Sequence, residues 1–147
     1  MKRAVVKRAL PLAMALAMTT TAAAAQTGGA GDAAHRSTLD GVFSATQAER
    51  GGATFQERCT ACHAPGYFTA TAFRQSWSGR AVYYLFSTIR NTMPEDSPGS
   101  LRPREVADLI AYILRLNAYP EGPEPLPDDG DALRGIIWED LPPDAGR

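Results

Sequence analysis

Cysteine is nearly absent from this sequence of 147 residues, which holds only Cys59 and Cys62. A pair so close in sequence closes too small a loop to add much stability as a disulfide, so a structural staple is the weaker explanation for it. Lysine is absent after Lys7, histidine occurs only at His35 and His63, and Met93 is the only methionine after Met18. No segment alternates apolar and polar residues as a half-buried strand does, and there is no repeat and no hinge-like linker. Long apolar runs are missing too. The one run present, residues 9–18, is short, contains Pro11 and is followed by threonines, so it makes a poor membrane span.

That run has another reading. Lys2, Arg3, Lys7 and Arg8 precede it, and Ala23-Ala24-Ala25 follow it. A basic start, an apolar middle and a small-residue end make a secretory signal peptide over 1–25, with cleavage expected near Ala25–Gln26. No cysteine stands there to carry a lipid, and no stable membrane span is expected after cleavage. The expected location is periplasmic or secreted. Removing the four basic residues leaves 11 arginines against 16 acidic residues, a net of −5. That sign argues against nucleic acid and anionic lipid as partners.

Beyond the signal, residues 26–42 are rich in Gly, Ala, Thr and Asp without apolar periodicity and read as a flexible leader. A domain is expected over 43–120. Ser44-Ala-Thr-Gln47 predicts a capping box opening a helix that runs through Phe55 to Cys59. Gly51 and Gly52 lie inside it, where glycine is costly unless another backbone passes close by. Residues 64–76 read as a loop. Val82, Leu85, Phe86 and Ile89 predict a second helix over about 79–91, which stops before Met93-Pro94. The clearest helix begins at Pro103, with Glu105 in its first turn and an apolar stripe of Val106, Leu109, Ile110, Ile113 and Leu114. Asn117 and Pro120 end it. Its expected N-cap, Arg102, is a poor capping residue. The acidic, proline-rich extension over 121–147 holds Leu133, Ile136, Ile137 and Trp138, too apolar for a solvated tail, so part of it is expected to pack on the domain. The fold class is all-α.

The chemistry is carried by Cys59-Thr60-Ala61-Cys62-His63. Cys-x-x-Cys-His marks c-type haem attachment. Two thiols one helical turn apart add across the vinyl groups on one porphyrin edge, and the next residue projects an imidazole toward the iron. Three other readings compete. A thioredoxin-type disulfide needs a βαβ surrounding, which is missing. A structural zinc site needs four ligands, and only His35 remains beyond this triplet. A chance occurrence in a helix is the third. The iron's other axial position could take Met, His or nothing. Met93 stands 30 residues after His63, in a loop, before a proline that stiffens it. Against that, methionine usually just fills core space. A thioether ligand would raise the reduction potential and close the iron to small molecules.

With those residues in hand, the chain resembles the class I (monohaem) cytochromes c from about Phe43 to Trp138. The resemblance rests on Gly51 and Phe55 spaced before Cys59, on the haem motif, and on Trp77-Ser-Gly79. It continues through Leu85-Phe86, Thr92-Met93-Pro94, Pro98-Gly99-Ser100-Leu101 and Ala107 to Leu114. Asn117, Pro120, Gly122 and Leu126-Pro127 extend it toward bacterial periplasmic cytochromes c associated with dehydrogenases. It implies three to four helices around one covalently attached haem c, with Gly51 and Phe55 of the first helix crossing Tyr112 of the last. It implies Met93 as the distal ligand, and Trp77 either as a donor to a haem propionate or as a plain core residue. The sequence departs from the family at Gln75, where many members have a proline whose carbonyl holds the histidine's second nitrogen; a carbonyl within 64–74 is the expected substitute.

The resulting expectation is a one-electron carrier, not an enzyme. Its cofactor is haem c, bound through Cys59, Cys62, His63, Met93 and Trp77, with His63 and Met93 on the iron. Its partners are a donor dehydrogenase and an acceptor oxidase or reductase. The alternatives are a haem subunit fixed in a dehydrogenase complex and an open-site haem protein of ligand-binding or peroxidase type.

Overall fold

The computed structural model describes residues 35–142. The expected signal peptide over 1–25, most of the leader and the last residues of the extension lie outside them. The described order is β1 (Arg36–Ser37), α1 (Ala45–Arg58), α2 (Pro65–Thr69), α3 (Thr71–Trp77), α4 (Val82–Thr92), α5 (Pro103–Leu116), α6 (Gly130–Arg134) and β2 (Ile136–Ile137). The fold is all-α and cytochrome c-like, with one small strand pair added.

The framework is the crossing of α1 and α5. Ser44 caps α1, its hydroxyl accepting from the Gln47 N–H at 3.3 Å. The other half of the expected capping box does not form. Gln47 is buried, and its side chain turns to the extension: Nε2 donates to the Leu126 carbonyl at 2.9 Å and Oε1 accepts from the Leu126 N–H at 2.7 Å. Burying an amide requires partners for both its ends, and a strand-like pairing with Leu126 supplies them.

Gly51 lets the two helices touch, because a Cβ there would coincide with the Asp108 carbonyl of α5. Tyr112 packs on Gly52 rather than on Gly51, and its ring lies 5.3 Å from that of Phe55. Arg50 fixes the crossing from the side, with Nε and Nη2 each donating to Asp108 at 2.9 Å. The stripe of α5, from Val106 through Leu114, is buried against this contact. Arg102 caps α5 by an unusual route. Its backbone N–H donates to Glu105 at 2.8 Å while its guanidinium donates to the other carboxylate oxygen at 2.9 Å. A residue with no acceptor of its own thus recruits Glu105 to complete the helix start.

Several expectations need correction. Residues 64–76 are not a loop; they form α2 and α3. With α6 there are six helices among the described residues rather than three or four. The leader is tied down from residue 36. Arg36–Ser37 pairs in parallel with Ile136–Ile137, Thr38 is buried, and the Gly122 N–H donates to the Phe43 carbonyl at 2.8 Å. Ile137 also bridges Ala81, and Trp138 exchanges backbone hydrogen bonds with 79–80: its N–H donates to Arg80 and its carbonyl accepts from Gly79, both at 2.8 Å. The Trp138 ring, 1% exposed, stacks edge-on against Phe73 and Tyr119. Burial pushes the Tyr119 phenol upward from its ordinary pKa, and its hydroxyl donates to the Glu139 carbonyl. The extension is therefore a strap joining the entry of the domain to the α3–α4 corner.

Candidate functional site

α1 ends where the Cys-x-x-Cys-His segment begins. The Cys59 N–H closes the helix onto the Phe55 carbonyl at 2.9 Å, and the Cys59 carbonyl accepts from Cys62 at 3.1 Å and His63 at 2.9 Å. This tight turn holds both thiols and the imidazole on one short stretch. Both cysteines are free, Cys62 exposed and Cys59 half-buried. Burial pushes the Cys59 thiol upward in pKa, against the pull of the neighbouring Arg58 charge.

These residues open onto a cavity of about 760 Å³. It is walled by α1, α2, α3, α4 and α5 and lies at the upper end of the roughly 300–1,000 Å³ common for cofactor sites. Phe55, Phe68, Leu85, Ile89, Leu109 and Ile113 supply apolar surface, and Glu95 and Asp96 lie at the loop beside it. Cys59, Cys62, His63, Trp77 and Met93 all line this one cavity. Met93 is the C-cap of α4, with its N–H on the Ile89 carbonyl at 2.9 Å and a cis peptide to Pro94. Trp77 ends α3 and is half-buried; the Arg80 guanidinium lies over its ring at 5.0 Å. His35, the rival imidazole, is exposed and does not line the cavity.

Residues 46–113 match the family model described as "Cytochrome C oxidase, cbb3-type, subunit III". Over these residues the chain is similar to a cytochrome c domain, consistent with the monohaem, class I kind. No curated protein and no solved structure matches the chain. A cytochrome c domain binds haem and transfers electrons through it. The cavity fits that group on the chemistry of its donors: two thiols and an imidazole at a helix end, a thioether on a separate helix end, and an apolar wall between them.

Two features of the site were not read from the sequence. Tyr67 and Phe68 of α2 lie together to one side of the His63 ring, with centroids 5.8 and 5.7 Å from it and 5.1 Å from each other. The expected carbonyl partner for the imidazole within 64–74 is not there: among the described residues the His63 ring makes no hydrogen bond. The nearby Gly66, Phe68 and Thr69 carbonyls are taken by Thr69, Asn117 and Arg74. A pair of adjoining rings thus packs beside His63 where a hydrogen bond was expected. Tyr67 and Phe68, one turn into the segment read as a loop, gave no periodic signal.

Proposed function

We propose that this protein is a one-electron carrier with a single haem c, attached through Cys59 and Cys62 and ligated by His63 and Met93. The observation that supports it best is the convergence of those four side chains on one apolar cavity of about 760 Å³. Haem supplies the one-electron chemistry; the chain attaches, orients and shields it. The apolar walls from α4 and α5 keep water from the iron's surroundings, which together with a thioether ligand favours a high potential. With His63 and Met93 both holding the iron, no position would be left for peroxide or dioxygen, so electron transfer would be favoured over catalysis. The proposed setting is extracytoplasmic, between a donor dehydrogenase and an acceptor oxidase or reductase met through small, transient contacts.

A second reading is a haem subunit held in a larger complex, and it draws on the name of the matching family, that of an oxidase subunit. Among the described residues no helix is long and apolar enough to cross a membrane. Native-size chromatography separates the two: a free carrier elutes at its own mass, a fixed subunit with a large partner.

Optical spectra of the purified holoprotein, with and without carbon monoxide, test the ligand set. A low-spin haem c spectrum with a sulfur-to-iron charge-transfer band is expected, indifferent to carbon monoxide and lost in Met93→Ala. A high-spin spectrum that responds to carbon monoxide would overturn the His63/Met93 assignment.

A further inference from the structure

Helix α2 has little holding it. It is five residues long, none of them buried, and no side chain caps it. Yet it carries both rings that pack beside His63. Among the described residues, one hydrogen bond joins α2 to a distant part of the chain: Asn117 Nδ2 donates to the Phe68 carbonyl at 3.0 Å. The second Nδ2 hydrogen goes to the Ile113 carbonyl at 2.9 Å, inside its own helix. Asn117 is 6% exposed, and its Oδ1 is buried without a partner. An orphaned buried acceptor is unfavourable, so an apolar residue would serve better if this position only filled space. What an apolar residue lacks is the donor that reaches Phe68.

We infer that Asn117 is a positioning residue, and that it fixes the plane of the His63 imidazole by pinning α2 and its two aromatic rings. This rests on His63 being the proximal ligand. Because the His63 ring makes no hydrogen bond among the described residues, the rings packed beside it are its lateral support. Phe68 also touches Phe55 and Phe73 at 5.5 and 5.2 Å, so a shift of α2 spreads along this aromatic row. Asn117 sits at the C-cap of α5, the most firmly packed helix of the fold, and so it references the imidazole to the framework.

The test uses ferric holoprotein, read by electron paramagnetic resonance and by the hyperfine-shifted proton signals of the axial imidazole. Asn117→Leu is expected to shift the low-spin g-values, split them into two species and move the imidazole signals. Amide exchange in α2 should accelerate roughly fivefold to tenfold, the loss of one net hydrogen bond. Gln47→Leu, which cuts the α1–extension tie away from the cavity, should lower stability and leave these spectra as in the wild type. Should Asn117→Leu fail to accumulate, Asn117→Ser keeps a donor for the Ile113 carbonyl but is too short for Phe68, and the same shifts are expected. Wild-type spectra in the Asn117 variants would overturn the inference while leaving His63 as ligand. Wild-type holoprotein without axial-imidazole signals would overturn the ligand reading and this inference with it.

Discussion

The α1–α5 crossing and the α2 segment both line the same cavity and are held in different ways. At the crossing, Gly51 lies against the Asp108 backbone, Arg50 grips the Asp108 carboxylate with two bonds of 2.9 Å, and Phe55 packs on Tyr112. Among the described residues, α2 has no buried residue and a single long-range hydrogen bond. Stability is concentrated where backbones meet, while the wall beside His63 is held by the packing of Phe68 on Phe55 and Phe73 and by one long-range hydrogen bond. One group there sets the geometry of the imidazole without bearing the weight of the fold.

The comparison breaks most severely at Gly51. A Cβ in Gly51→Ala has nowhere to go except into the Asp108 backbone, so α1 and α5 must separate. A loss of about 3 kcal/mol is expected in denaturant unfolding of the holoprotein. An unchanged midpoint would mean that the crossing is looser than described. Next is Gln47→Leu, which strands the buried N–H and carbonyl of Leu126; about 2 kcal/mol is expected. That variant sharpens the contrast with Asn117→Leu, which should cost less stability and disturb the haem spectra more.

The smallest effect comes from pH. The Arg102 guanidinium and backbone N–H hold the Glu105 carboxyl below the usual glutamate range. A carboxylate whose folded pKa is depressed adds stability that is fully present above its unfolded pKa. That stability fades as pH falls toward the folded value. The α5 cap should therefore weaken only in acid, and Glu105→Gln should flatten that part of the stability curve. The effect is small because the pair is largely solvated. An acid limb identical in wild type and Glu105→Gln would remove this cap from the account.

What was legible in the sequence had a local cause. The Cys59–His63 motif, the Pro103 start, the apolar stripe of α5 and the glycines of α1 each carry a spacing that only one local structure explains. The α2–α3 segment was missed because helices of five and seven residues bury too little to imprint a period, and Phe73 alone of their residues is buried. The ordering of 36–42 was missed because a polar leader has no reason of its own to fold. Its partner is Ile136–Ile137, about a hundred residues away, and backbone pairing leaves no trace in side-chain pattern. Gln47 was assigned to a local cap for the same reason, since Leu126 lies far along the chain. Asn117 was visible only as a helix end; its reach to Phe68 needs α2 to exist first.

The proposed function rests on one haem bound covalently at Cys59 and Cys62. The most direct test is the intact mass of the protein after acid–organic denaturation, following expression with a haem-attachment system. The account predicts the polypeptide mass plus one haem, retained through denaturation and lost when Cys59 and Cys62 are both replaced by serine. Polypeptide mass alone, with haem released into the organic phase, would contradict it.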